Sequence, residues 1–235
     1  MSMRLHMWDD FAQATCMPDH CFCEAVHEGW LRQPSNAVSS LAFCVAAGWM
    51  ALDRRRAPTA SAWRPVEAWC FIVAVFLVGL TSAGYHASLT FVGQFFDVQS
   101  MYLVVGVLFA VNVDDARPGA PRRFLSTYVA LNVALGVLLV VVPTFRRFGF
   151  GLAIAAVVLT EVLLRVRRLR STPLAPLLLA VALQALAFAV WTLDLTKTVC
   201  APGSLVQGHA VWHVLGAVVT ALLWRYARTG PSAAS

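Results

Sequence analysis

Charge is what this chain has least of. Only 13% of its 235 residues are Asp, Glu, Lys or Arg, about half the share usual in a water-soluble domain. With 59% hydrophobic residues and a mean hydropathy of +0.70, a water-soluble fold of this size could not hide its apolar surface. Met1–Cys23 lacks the apolar core of a cleavable signal peptide, because Asp9, Asp10 and Asp19 interrupt it. Internal repeats and low-complexity tracts are absent. A basic face interleaved with aromatics is absent too, so the net charge of +6 does not point to nucleic acid.

The solvent for such a chain is lipid. Seven apolar runs stand between polar or Pro/Gly-bearing breaks, at Asn36–Leu52, Val66–Tyr85, Phe91–Val113, Phe124–Val142, Phe148–Leu164, Leu174–Trp191 and His209–Tyr226. Each has the roughly 17–23 residues that a helix needs to cross a bilayer core. The fold class is therefore all-α, a polytopic membrane protein with a seven-helix bundle over 36–226. Residues 1–35 precede it and a short tail, 227–235, follows. Of the 18 Lys and Arg residues, thirteen fall after runs one, three and five or at the C-terminus; Arg4, Arg32, Arg146, Arg147 and Lys197 fall on the other side. The positive-inside rule then predicts a cytoplasmic C-terminus and an N-terminus outside.

Polar groups within membrane helices are costly and mark function. The second run ends in Thr81-Ser82-Ala83-Gly84-Tyr85-His86, the third opens with Gln94 and Asp97, and the last opens with His209 and His213. An alternating topology brings all of them to the outer side. His209 and His213, four apart, share one helical face. Ser82, four before His86, is expected beside that imidazole. Three histidines with an open fourth position describe a catalytic zinc site, with Asp97 placed to accept a proton from water.

Other polar residues read as structural. Glu161 can pair with Arg165, Asp194 and Lys197 are expected in the outer loop after the sixth helix, and Asn132 and Gln184 are expected to hydrogen-bond between helices. Trp191 and Trp212 suit an outer aromatic belt or a lipid pocket. Cys44 and Cys70 are expected as buried free thiols, whereas Cys16, Cys21, Cys23 and Cys200 share the outer, oxidising side. Spacing leaves the partner of Cys200 open. Asp19, Glu24, Glu28 and Gln33 offer oxygen ligands for a hard cation such as calcium, though not at EF-hand spacing. They read equally well as an acidic lead-in to the first helix.

The set Ser82-x3-His86, Asp97 and His209-x3-His213, with Cys23-Glu24 and Asn36-Ala37-Val38-Ser39, resembles the alkaline ceramidases. These belong to a superfamily of seven-helix membrane hydrolases that includes the adiponectin receptors. The resemblance covers about Cys21 to Tyr226. It implies a zinc amidase that cleaves ceramide into a sphingoid base and a fatty acid. His86, His209 and His213 would hold zinc, Asp97 would deprotonate water, and Ser82 would stabilise the oxyanion. It further implies a Cys23–Cys200 disulfide and a calcium site near Asp19, Glu24 and Gln33. There the chain departs from its eukaryotic relatives, which have a glutamate where Gln33 falls and an aspartate where Cys21 stands.

The leading expectation is a ceramide hydrolase with its site on the non-cytoplasmic side. Hydrolysis of another N-acyl lipid and a seven-helix receptor with structural zinc are the alternatives; a transporter ranks below both. Heavy Ala, Val and Arg usage points to a bacterial inner membrane, with the ER or Golgi as the eukaryotic counterpart.

Overall fold

The computed structural model describes residues 8–17, 21–58 and 62–229. Among these, seven α-helices account for the architecture: α1 (Pro34–Arg56), α2 (Pro65–Ser88), α3 (Phe91–Asp115), α4 (Phe124–Val141), α5 (Arg146–Val166), α6 (Ala175–Leu195) and α7 (Gly208–Thr229). All seven contain stretches long and apolar enough to cross a membrane. They match the seven runs in order, and most extend past the apolar stretch by a turn or so, because capping groups lie outside it.

Local chemistry sets the ends. Proline stands in the first turn of α1, α2 and α6, where its missing N–H costs nothing. The Glu24 carboxylate reaches across to accept the Ser35 and Asn36 amides at 2.7 and 2.9 Å, closing the N-terminus of α1 from outside the helix. Glu67 accepts the Arg64 amide at 2.7 Å at the start of α2. Leu89, at φ +50°, ends α2 in the left-handed region. The next residue, Thr90, caps α3 by accepting the Gly93 amide at 3.1 Å. Asp114 accepts the Arg123 and Phe124 amides and so starts α4. Replacing Glu24 by alanine is expected to lower stability by about 1–2 kcal/mol, measured by thermal denaturation in detergent.

Neighbours pack as α6–α7–α1–α2–α3–α5, with α4 outside on α3. Gly79 lets α2 approach α1: a Cβ there would lie 2.9 Å from the Cys44 amide nitrogen. The main core joins α1, α2, α3 and α7 around Met50, Phe71, Val107 and the fully buried Trp224. Large apolar side chains such as Val45, Phe76, Val137, Leu159 and Leu186 point outward, as a lipid solvent requires.

One end of the bundle is tied by ion pairs. Glu161 joins Arg165 at 3.0 Å and also Arg170, while Arg170 reaches Asp115 at 2.6 Å. The expected Glu161–Arg165 pair is therefore one arm of a larger network. At the opposite end the segment before α1 folds back over the bundle. It makes a bridge between Gln13 and Thr90, with Ala14 donating to the Leu89 carbonyl and Phe91 to that of Ala12. Disulfides join Cys16 to Cys21 and Cys23 to Cys200. Cys44 and Cys70 are free and half-buried.

Candidate active site

The three histidines come from two helices that meet at the end covered by the N-terminal segment. His86 lies in the last turn of α2, and His209 and His213 occupy the first turns of α7. All three are buried, at 0, 5 and 3% exposure. One ring nitrogen from each lies within 4.8 Å of the others, and His86 Nε2 and His209 Nε2 are 3.1 Å apart. No other group of three His, Cys, Asp or Glu side chains could hold a metal ion among the described residues.

Hydrogen bonds define the tautomers of two rings. Gln33 donates its Nε2 to the Glu24 carbonyl at 3.2 Å, which turns its Oε1 to His86 Nδ1 at 2.9 Å. An amide oxygen only accepts, so His86 carries its proton on Nδ1 and presents a lone pair on Nε2. Ser39 and Ser40 both donate to the Asn36 carbonyl, at 3.0 and 2.8 Å, and keep lone pairs for His213 Nδ1 at 2.9 and 3.3 Å. His213 is therefore also protonated on Nδ1, with Nε2 turned inward. Converging lone pairs in a buried pocket call for a cation or a shared proton between them. This donor set suits zinc, which takes neutral imidazoles whose far nitrogens are held by such partners.

Ser82 and Asp97 stand at the same place. The Ser82 hydroxyl lies 3.3 Å from His213 Nε2 and hydrogen-bonds Asp97. Its imidazole partner is thus His213, on α7, and not His86 one turn along its own helix. Ser82 and His213 meet where the end of α2 and the start of α7 come together at the covered end of the bundle. Asp97 does not belong to the group of ligand atoms.

A cavity of about 390 Å³ adjoins these residues. Ser82, Asp97, His209 and His213 line it together with apolar side chains that include Ile154 of α5 and Leu177 of α6. Helix α5 packs on α3, and α6 on α7; their inner faces look at each other across the cavity. Trp191 and Trp212 both line it, which favours the pocket over the belt. Gln184 lines it too, with an amide nitrogen that has no protein partner, so it does not bridge helices as expected. Asn132 does accept from Gln99 of α3, at 3.1 Å through its carbonyl.

Two of the oxygen ligands considered for calcium already have protein partners. Both Glu24 oxygens accept amides of α1, and Gln33 is taken by Glu24 and His86. Asp19 lies outside the described residues. Asp194 was expected in a loop but belongs to α6 and is 1% exposed, with one oxygen on the Cys23 amide at 3.1 Å and the other on that of His209 at 3.0 Å. Lys197 does lie beyond the helix. Other contributions escaped a reading by residue type. Phe22 stacks on His209 with centroids 3.7 Å apart. Gln94 takes the Thr15 amide and hydroxyl and donates to Tyr85. An acid just past the end of an apolar run was the one available signal for Asp194.

Fold and site together define a seven-helix membrane protein with a buried three-histidine centre opening on an apolar cavity. The ceramidase family model matches residues 16–229, and the chain belongs to that family. It is also 29% identical over 160 residues to a Dictyostelium discoideum protein described as "Putative alkaline ceramidase dcd3B". That match covers 59% of this chain and 55% of the relative, so the chain spans about half the length of the curated relative.

Proposed function

We propose that this protein is a zinc-dependent amidase that hydrolyses ceramide to a sphingoid base and a fatty acid. The observation that carries this reading is the cluster of His86, His209 and His213 beside an apolar cavity that Ser82, Asp97, His209 and His213 line, in a chain of the ceramidase family. Zinc held by the three imidazoles would supply a Lewis acid that polarises the amide carbonyl and lowers the pKa of water.

The remaining steps fall to side chains. Gln33 and the Ser39/Ser40 pair keep His86 and His213 in the Nε2-free tautomer. Asp97 takes the proton of the attacking water on its carboxylate and returns it to the departing amine nitrogen as the C–N bond breaks and the C–O bond forms. Ser82 donates its hydroxyl proton to the oxygen that gains charge, a contact worth about 3–4 kcal/mol in comparable sites. The apolar walls take the acyl and sphingoid chains and keep bulk water from the amide. We place the site on the non-cytoplasmic side, because both disulfides lie at that end and most arginines at the other.

Purified protein given ceramide should release fatty acid and sphingoid base in equal amounts. The activity should disappear with a zinc chelator, return with zinc, and fall more than about 10³-fold in His213→Ala. Equal release by His213→Ala would overturn the mechanism. Release from a different N-acyl lipid alone would keep the chemistry and change the substrate.

A further inference from the structure

The three histidines are not held alike. His86 and His213 each have a ring partner, Gln33 for one and Ser39 with Ser40 for the other. His209 has none: its Nδ1 is buried without a hydrogen-bond partner. A ligand ring with no such partner must be oriented in another way. The Asp194 carboxylate supplies it. One oxygen accepts the backbone amide of His209 itself, and the other accepts that of Cys23. Cys23 follows Phe22, the ring stacked on His209. A single buried carboxylate therefore fixes both the ligand's backbone and the aromatic surface against its ring.

The surroundings are built for this contact. A Cβ on Gly208 would lie 2.9 Å from the Asp194 Cβ, so α6 reaches the first turn of α7 only because that residue is glycine. The Cys23–Cys200 disulfide and the hydrogen bond from the Ala25 amide to the Pro202 carbonyl tie the N-terminal segment to the loop between α6 and α7. Asp114 offers an internal comparison. It accepts two backbone amides at the start of α4, as Asp194 does here, but neither belongs to a candidate ligand.

We propose that Asp194 is a positioning residue for zinc binding, holding His209 through its backbone where the other two ligands are held through their rings. The proposal rests on the zinc reading above. It is tested on the purified full-length protein by zinc affinity, measured in competition with a chelator, beside thermal denaturation and the KM and kcat for ceramide. Asp194→Asn keeps the shape but sets an amide NH2 against one of the two N–H groups. It should weaken zinc binding about 10–100-fold, with kcat regained at saturating zinc and KM little changed. Asp114→Asn should lower thermal stability and leave zinc affinity as in the wild type. Gly208→Ala, which displaces the carboxylate from the other side, should weaken zinc in the same direction and carries the test if Asp194→Asn does not fold. Wild-type zinc affinity in Asp194→Asn, or an equal loss in Asp114→Asn, would overturn the proposal. A wild-type protein that binds no zinc fails the zinc reading itself, before any variant is compared.

Discussion

Asparagine at position 97 is expected to lower ceramide turnover by about 10²–10⁴-fold while zinc content and thermal stability stay near wild type. The side chain lines the cavity beside Ser82 and His213 and hydrogen-bonds the Ser82 hydroxyl. Its place in the first turns of α3 is set by the Thr90 cap and by Ser100, which donates to the Asp97 carbonyl at 2.7 Å. Asparagine keeps the size and the hydrogen bond to Ser82 but cannot take a proton from water. Because Asp97 stands outside the group of ligand atoms, its loss should appear in kcat and not in metal content. Metal analysis with steady-state kinetics decides the matter. Loss of zinc would make Asp97 a ligand, and full turnover would remove it from the reaction.

The largest effect on stability is expected at the other end. Glu161 is 6% exposed and accepts from Arg165, Arg170 and the Tyr226 hydroxyl, the last at 2.5 Å. Glu161→Ala leaves two guanidinium groups facing each other without their shared carboxylate, a loss of about 3–5 kcal/mol for a buried pair broken on one side. Since the two arginine side chains keep 21 and 12% exposure, about 3 kcal/mol is expected. Arg122→Ala breaks an ion pair to Asp115 whose arginine is 48% exposed, and should cost less than about 1 kcal/mol. Thermal denaturation in detergent separates the two. Comparable midpoints would show that the network contributes no more than a surface pair. Turnover below the transition should match wild type in both, because neither residue lines the cavity.

Much of the bundle is readable in the amino-acid sequence, for a physical reason. In lipid every backbone polar group must be satisfied within the helix, so an apolar run of the right length has few alternatives. The i, i+4 spacing of His209 and His213 likewise carries its own geometry, since one helix fixes both directions. The same argument did not give the hydrogen-bond partner of Ser82. Ser82 and His86 both lie on α2, but the hydroxyl's hydrogen-bond partner is His213, a residue far along the chain. Gln33 and Glu24 offered oxygen atoms in abundance, and residue type alone could not tell a cation ligand from a helix cap or a ring acceptor.

By itself the amino-acid order determined the number of helices, their lengths and the three imidazoles, because hydropathy and helical spacing are properties of contiguous chain. Only the tertiary structure decided which groups meet. It joined Cys16 to Cys21, set Gln33 on His86 and Ser39 and Ser40 on His213, and drew Asp194 from an expected loop to the backbone of His209. Apart from Cys16–Cys21, each of these partnerships spans a different pair of segments. Which donor finds which acceptor depends on how the helices cross and how the loops close, and no local pattern encodes that.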